Sequence, residues 1–585
     1  MALKMPGLSA FFNPPLCANN HAIIDGNTTQ CEKTAPNACS RCRLVQYCSK
    51  ECQIADWSHH KATCKSPFLK ETWKPNWFVE KRKPDWISDN ENQFMSPFGA
   101  PRYLWGNVAA LDVLRINDNE GVQDVDRNFN LLFAASGDMR NLVKTIVGIP
   151  DKHKGKCVAV MNDKDIITVA RNVIKLLVAL VFEAETAVPI IIHLWYSALL
   201  PRAMLEALQS TILPMIEDVC EKIKHKDSDD TLQAKTFKIK DRSLRVVLKK
   251  EEWTELAKCL QVPSGLTFEQ ASDMRRGVTL APGRVDYHDR ARLEWSPAVR
   301  QGEMHFRSTG ILLPYGCSLD AYDTPNPTFY PGNTWPMSDS ATPKDGWSRS
   351  DIIESAGCAK EDEHGALFFY LRKLLLEFCV RVQEFDVTFE TYCMDARKPE
   401  NFVGNTKFDR IEISNISDTC YLGPKVCLKA FSKLLRPKSE NSKATLLMSF
   451  QNAVVSVEKE VQKTHMQAYL ASMKEASSRL EKYMSIQQYP SAGNGETSCP
   501  DPREMRYYER VGRLLNREPF FDRFMANQLL MASTSKYGLK VKKTHTIVEP
   551  WPFKIGTHTT QAEFEMMCAS GFSSCVRYME FGKLG

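Results

Sequence analysis

The sequence contains no apolar segment that could cross a membrane. Its longest apolar stretch, from Val173 to Leu200, is interrupted by charged residues and by Pro189 and His193, whereas a spanning helix needs about 20 predominantly apolar residues in a row. The first 16 residues have no charged start leading into an apolar run, and three prolines interrupt them. We therefore predict neither a membrane span nor a secretion signal.

The sequence also lacks a disulfide framework and a strong excess of one charge. Seven of its 19 cysteines fall between Cys17 and Cys64, and the other 12 are scattered singly, unlike the even density of disulfide-rich secreted proteins. This pattern predicts a reducing compartment, either the cytosol or the nucleus. A net charge of +6 over 585 residues argues against duplex DNA as the partner and leaves only a local basic patch open.

The clustered cysteines have the spacing of zinc ligands. Six donors form three close pairs, which are Cys39 and Cys42, Cys48 and Cys52, and His60 and Cys64. Two donors so near in sequence can turn onto one ion at about 2.3 Å, and zinc takes four thiolate or imidazole donors in a tetrahedron. A segment this short cannot fold on its apolar surface alone, so metal binding would supply its folding free energy.

The residues from Cys39 to Cys64 closely resemble the MYND zinc finger, a family that holds two zinc ions in interleaved sites. The resemblance assigns one ion to Cys17, Cys31, Cys48 and Cys52, and the other to Cys39, Cys42, His60 and Cys64. His59 adjoins His60, but the three-residue spacing to Cys64 selects His60. Thirteen residues separate Cys17 from Cys31, more than the family usually has, and His21 is an alternative ligand for the first site.

The same resemblance implies a binding function for the finger. MYND modules mostly bind short proline-containing peptides, in a groove whose Gln and Trp match Gln53 and Trp57 here, and aromatic side chains suit such segments. Alternatively, Trp57 packs only against the small core of the finger. Because the segment lacks the base-reading helix of two-Cys, two-His fingers, we expect a protein partner and no direct DNA binding.

The rest of the chain has an α/β pattern. Predicted strands near 130–136 and 156–163 are each followed by a helix, and the alternation resumes from about 366 to 451, with strands at 386–395, 408–417 and 444–451. This alternation is typical of a parallel, doubly wound sheet. We expect a polar loop at 485–503 and edge strands at 538–555 and 573–581. The predicted organisation is a zinc finger at 17–64, a connector at 65–100, the first half of the sheet domain at 101–183, an insertion of mixed α/β structure at 184–363, the second half at 364–455, and C-terminal helices and edge strands at 456–585.

The order of strands and helices resembles a class I methyltransferase core, a Rossmann-like fold that binds S-adenosylmethionine. The resemblance places Gly137 and Asp138 in the cofactor loop, Asp163 at the ribose and Asp395 at the adenine, since glycines let the backbone approach a ligand at a helix N-terminus. Of the three glycines and one acid in the family's first motif, only Gly137 is present, and Met139 stands where the cofactor would lie. The resemblance thus implies the fold more strongly than the cofactor.

A second resemblance covers about 99–223. Segments that begin at Trp105, Leu131 and His193 resemble a domain of unknown function found in fungal MYND-finger proteins and in the cytoplasmic factors that assemble axonemal dynein arms. We therefore predict a non-enzymatic, zinc-dependent interaction, scaffold or assembly protein. The alternative is an S-adenosylmethionine-dependent methyltransferase acting on a protein. A SET-type methyltransferase is disfavoured, because no Asn-His-Ser motif follows the finger.

Overall fold

The computed structural model describes residues 2–24, 27–88, 97–227, 231–239, 242–484 and 499–584. Most of the polar loop predicted at 485–503 lies outside these residues. The described chain is a mixed α/β protein with one large sheet and three two-stranded sheets. In chain order the strands are β1 Ala22–Ile24, β2 Asn27–Thr29, β3 Asn37–Ala38, β4 Gln46–Tyr47, β5 Phe129–Phe133, β6 Cys157–Asp163, β7 Leu199–Leu200, β8 Gln233–Ile239, β9 Arg242–Leu248, β10 Thr324–Pro325, β11 Val387–Cys393, β12 Arg410–Glu412, β13 Thr445–Phe450, β14 Leu539–Val541 and β15 Arg577–Lys583.

Helices cover both faces of the large sheet. In the first half of the chain the helices are α1 Pro6–Ser9, α2 Lys50–Cys64, α3 Asn76–Val79, α4 Asp85–Ser88, α5 Arg140–Gly148, α6 Ile166–Val181, α7 Ala184–Tyr196, α8 Arg202–Thr211, α9 Leu213–Ile223, α10 Lys250–Lys258, α11 Phe268–Thr279 and α12 Val285–Arg292. The later helices are α13 Pro297–Thr309, α14 Arg349–Glu354, α15 Glu363–Glu384, α16 Glu400–Val403, α17 Pro424–Phe431, α18 Ala453–Thr464, α19 Met466–Leu480, α20 Pro502–Leu514, α21 Glu518–Asn527, α22 Leu530–Lys536 and α23 Gln561–Ala569.

The large sheet has nine strands in the order β14-β15-β13-β12-β5-β6-β11-β9-β8. The strands from β13 to β9 are parallel to their neighbours. At one edge β15 runs antiparallel to β13 and to β14, and at the other edge β8 runs antiparallel to β9. Alternate residues of the central strands enter separate cores on the two faces: Leu131 and Phe133 pack into the first core, and Leu132 packs into the second.

The apolar stretch from Val173 to Leu200 forms most of α6 and all of α7, which are buried in the first core. The carboxylate of Asp165 starts α6 by accepting the Ile167 N–H at 2.9 Å, a frequent N-cap arrangement. Among the residues that the structure describes, no helix is long and apolar enough to cross a membrane.

The predicted insertion contributes to the large sheet. Its hairpin of β8 and β9 joins the sheet because β9 pairs with β11. Phe237, Leu244 and Val246 of this hairpin are buried in the first core. The sheet is therefore continuous across the boundaries that we predicted at 183 and 364.

Two predicted strands are shorter in the structure. The segment 408–417 contains only β12, because the chain turns at Ser414, which has a φ of 51°. The segment 538–555 contains only β14, because the N–H groups of Thr546 and Ile547 are donated to the carboxylate of Glu580 rather than to a strand. The other predicted edge strand, at 573–581, forms β15 at Arg577–Lys583.

The chain before the finger packs into the body. Leu8 and Phe12 belong to the first core, and α1 lies on α7. The backbone of Leu3 accepts the Glu183 N–H and donates to the Val181 carbonyl, both at 2.9 Å. The finger is therefore tethered to the body by the segment that precedes it.

The finger itself also contacts the body. The Cys358 thiol donates to Oε1 of Gln46 at 2.9 Å, and the hydroxyl of Tyr315 donates to Oγ1 of Thr63 at 3.4 Å. Ala298 of α13 packs into the small apolar core of the finger. These contacts hold the finger against α13 and against the segments that precede α14 and α15.

Candidate metal centre

Helix α2 carries three of the predicted zinc ligands. Ser49 caps its first turn, where Oγ accepts the Cys52 N–H at 3.4 Å. Asp56, His60 and Cys64 are spaced by four residues and form the buried face of the helix, as expected for positions one turn apart. Cys52 lies in the first turn, so the two ends of α2 serve different clusters.

Cys39, Cys42, His60 and Cys64 form one cluster. Their ligand atoms lie within 4.8 Å of one another, and all four residues are buried. The Sγ atoms of Cys39 and Cys64 are 3.6 Å apart, and Nε2 of His60 lies 3.6 Å from Sγ of Cys42 and 3.4 Å from Sγ of Cys39. A zinc tetrahedron with bonds of about 2.3 Å to sulfur and 2.0 Å to nitrogen has edges of about 3.5 to 3.8 Å. The donors therefore fit zinc in number, type and spacing.

Cys17, Cys31, Cys48 and Cys52 form the other cluster, also within 4.8 Å. The Sγ of Cys31 is 3.7 Å from that of Cys48 and 3.9 Å from that of Cys52, which again matches tetrahedral edges. The backbone N–H of Cys48 donates to the Cys17 sulfur at 3.5 Å. The thirteen-residue excursion thus returns Cys31 to the site, and Cys17 rather than His21 lies with these three sulfurs.

The thiols of the clusters ionise at very different pH. Burial raises the pKa of Cys17 to about 12 and that of Cys64 to about 11, whereas a hydrogen bond with Cys42 lowers the pKa of Cys39 to about 3. Neighbouring thiolates repel one another, so a divalent cation is the partner that allows every thiol of a cluster to be ionised at once.

Gln53 and Trp57 lie on the outer part of α2. Gln53 is half-buried, and the Trp57 side chain is 40% exposed. The Trp57 ring meets the His60 ring edge-on, with centroids 5.9 Å apart. Trp57 therefore packs against a candidate zinc ligand and also presents aromatic surface to solvent beside Ile54, which is 65% exposed.

Comparison with known proteins agrees with this geometry over the finger. Residues 29–64 match the MYND finger. That range begins after Cys17, so the first ligand of the Cys17 cluster lies outside it. Residues 104–200 match a domain of unknown function (DUF4470). Together the match and the two clusters support zinc binding and a role in protein interaction.

Two curated proteins are similar over the finger alone. The chain is 49% identical over 35 residues to SET domain and MYND-type zinc finger protein 6 of Schizosaccharomyces pombe, covering 6% of this chain and 7% of that protein. It is 41% identical over 47 residues to the zinc finger MYND domain-containing protein 10 homolog of Drosophila melanogaster, covering 8% and 10%. The chain thus spans about a tenth or less of these relatives. No solved structure matches it.

The predicted cofactor loop does not fit S-adenosylmethionine well. Gly137 turns with a φ of 54°, but its N–H donates to Oδ2 of Asp163 at 2.9 Å, and Oδ1 of Asp163 accepts the Asp165 N–H at 3.0 Å. Both oxygens of the residue predicted at the ribose therefore bind the protein's own backbone. Asp395, predicted at the adenine, is exposed and binds the guanidinium of Arg397.

The side chain of Asp138 lies in the first core and points away from the predicted cofactor site. It is 4% exposed, and Oδ2 accepts the Gly106 N–H at 2.8 Å and the indole N–H of Trp195 at 3.2 Å. Oδ1 forms an ion pair with Arg140 at 2.7 Å. Met139 is fully buried in the same core. These residues, with their neighbours in 104–200, thus join the loop to α7 rather than form a ligand cradle.

Several residues that fix the finger in place had no signal in the sequence. Gln46, Cys358 and Tyr315 make the contacts between finger and body, and partners such as Gln46 and Cys358 are 312 residues apart. Such pairs leave no local spacing pattern. By contrast, the alternation of apolar residues in 233–248 could have indicated the hairpin of β8 and β9.

Proposed function

We propose that this chain is a zinc-dependent protein-interaction protein whose finger binds a proline-containing segment of a partner. The carrying observation is the pair of four-donor clusters with tetrahedral edge lengths in one 48-residue segment, Cys17 to Cys64. In this proposal the eight residues Cys17, Cys31, Cys48, Cys52, Cys39, Cys42, His60 and Cys64 hold two zinc ions, and the ions fold the finger.

The proposed peptide surface is the exposed side of α2 around Gln53 and Trp57. A ring fixed against His60 and partly open to solvent is a preorganised aromatic contact, which suits the apolar pyrrolidine ring of proline. The half-buried amide of Gln53 lies one turn before Trp57 and offers hydrogen bonds to a peptide backbone. The finger would thus recruit the partner, and the α/β body would hold the finger in a fixed position.

The test is binding of proline-containing peptides to the full chain, measured by fluorescence anisotropy. We expect Trp57→Ala to weaken binding by about 30-fold, because truncating a central aromatic contact costs about 2 kcal/mol. Gln53→Ala should weaken it less. Tyr508→Ala is the matched control, since Tyr508 is a 54% exposed aromatic residue of the body. Equal binding by the Trp57 and Tyr508 variants would refute the proposed surface.

We further propose that the body is a doubly wound, Rossmann-like sheet that serves as a scaffold or assembly platform. The five central strands lie across the sheet in the order β11-β6-β5-β12-β13. Numbered by their order in the chain, these are strands 3, 2, 1, 4 and 5, which is the order common in doubly wound sheets. The hydrogen bonds of Asp138 and Asp163 to groups of the protein itself favour a scaffold over a cofactor-binding enzyme.

The same strand order is the specific observation that keeps the methyltransferase alternative in view. Calorimetric titration of S-adenosylmethionine into the full chain separates the two. We expect no binding at millimolar ligand, because Asp163 and Asp138 already bind groups of the protein. Saturable binding that Gly137→Trp abolishes would support the enzyme and overturn the scaffold proposal.

We also propose that the protein works in the cytosol or the nucleus. The support is its cysteine usage, because none of the 19 cysteines is joined in a disulfide, as is usual in reducing compartments. Localisation of a fluorescent fusion in its own cells tests this proposal, and a signal confined to the secretory pathway would contradict it.

A further inference from the structure

The excursion between Cys17 and Cys31 brings a histidine onto the outer side of the finger helix. The rings of His21 and His59 stack with centroids 3.8 Å apart and planes 30° apart. Nδ1 of His59 lies 4.0 Å from Oδ1 of Asp56. One ligand atom from each of the three residues lies within 4.8 Å of the other two. Two imidazoles and a carboxylate therefore meet at one point, outside both cysteine clusters.

The carboxylate of this group is fixed before any ion binds. Asp56 is 4% exposed, and Tyr47, which is 2% exposed, donates its hydroxyl to Oδ2 at 2.7 Å. The remaining oxygen, Oδ1, is the one nearest His59. A metal-binding carboxylate is commonly held by such a hydrogen bond from a neighbouring side chain. The buried acid therefore presents one oriented oxygen towards two exposed imidazoles.

We propose that His21, Asp56 and His59 bind a third zinc ion on the surface of the finger. Imidazole nitrogen and carboxylate oxygen are both ligands of zinc, and three protein ligands leave a fourth position for water or for a group from a partner. Ligation requires the three donor atoms to close to about 3.3 Å from one another. Rotation of the exposed His21 and His59 side chains provides this movement.

The third site differs in character from the two cysteine clusters. It has no thiolate and is open to solvent, so its ion should bind more weakly and exchange faster. Its ligands come from two parts of the finger, because His21 belongs to the excursion and the other two belong to α2. The ion would thus join the excursion to the helix. This proposal goes beyond the proposed peptide binding and does not depend on it.

The test is calorimetric titration of zinc chloride into the full chain, after loosely bound metal has been removed with a weak chelator. We expect one further equivalent of zinc to bind, and His21→Ala or His59→Ala to weaken that step at least about 10-fold, because each removes one of three ligands. His558→Ala is the matched control, since His558 is an exposed histidine of the body. Both test residues are also exposed, so we expect these variants to fold.

A second readout separates this ion from a misplaced ligand of the clusters. Cobalt bound by thiolate absorbs strongly in the near ultraviolet, whereas cobalt bound by two imidazoles and a carboxylate does not. We expect the third cobalt equivalent to add no thiolate absorption. The proposal is overturned if the wild-type chain takes up no third equivalent, if His21→Ala and His59→Ala bind it as the wild type does, or if it adds thiolate absorption. The first two of these results would leave the two cysteine sites and the peptide test unchanged.

Discussion

Glu412 lies at the carboxyl end of β12 and is 5% exposed. Burial raises the pKa of its carboxyl group to about 7, above the value near 4.3 of an unfolded chain. The folded protein therefore holds this proton more tightly than the unfolded one. The resulting stability is fully present below about pH 4 and is lost as the pH rises from there through 7.

Replacing Glu412 with Gln tests this pH dependence. The amide cannot ionise, and it keeps an oxygen that can accept the Ser414 N–H, which Glu412 binds at 2.6 Å. Between pH 5 and pH 8 we expect the wild type to lose about 2.5 kcal/mol more unfolding free energy than Glu412→Gln. Chemical denaturation at both pH values measures this, with exposed Glu400→Gln as the control. Parallel pH profiles for wild type and Glu412→Gln would contradict the assignment.

At the scale of elements, helix α1 links the segment before the finger to the body. Leu8 is 3% exposed in the first core, whereas Leu3 in the same segment is 46% exposed. We expect Leu8→Ala to lower the unfolding free energy of the body by about 2 to 5 kcal/mol, as for other buried leucines. Leu3→Ala is the matched control and should cost well under half as much. Unfolding in denaturant, followed by tryptophan fluorescence, measures both variants. Equal losses of unfolding free energy would mean that α1 does not pack as described.

The elements also show how much of the fold could be predicted from the sequence. The strands β5, β6, β11 and β13 and the helices between them follow from local apolar patterns, and the close ligand pairs from Cys39 onward follow from spacing. The place of β8 and β9 in the sheet does not, because β9 pairs with β11 across about 140 residues. The sequence also does not indicate that Asp163 accepts the Gly137 N–H or that Asp138 accepts the indole N–H of Trp195.

At the scale of the whole molecule, the finger and the body share apolar and polar contacts. Residues 2–16 pack into the body before the chain enters the finger, and Gln46 and Thr63 of the finger bind Cys358 and Tyr315. We therefore expect a change in the stability of the finger to change the stability of the body, although the two differ in chemistry. The third zinc ion proposed for His21, Asp56 and His59 would act only locally on this arrangement.

Zinc removal should lower the stability of the whole chain. A strong chelator would leave the finger without its folding free energy, and the body would lose the contacts that Ala298 and Gln46 provide. We expect the melting temperature of the body to fall by about 1 to 2 °C, which is what a loss of about 1 to 2 kcal/mol produces in a body of about 500 residues. Differential scanning calorimetry with and without chelator measures it, and an unchanged body transition would show that the finger docks only loosely.

The count of tightly bound zinc ions tests the central claim most directly. Native mass spectrometry of the full chain, after weakly bound metal has been removed, should show two zinc ions, one for each four-donor cluster. Cys31→Ser should retain one ion firmly, and His21→Ala should retain both. A wild-type chain with one tightly bound ion, or a His21→Ala chain that loses one of two, would contradict the assignment of Cys17, Cys31, Cys48 and Cys52 to a zinc site.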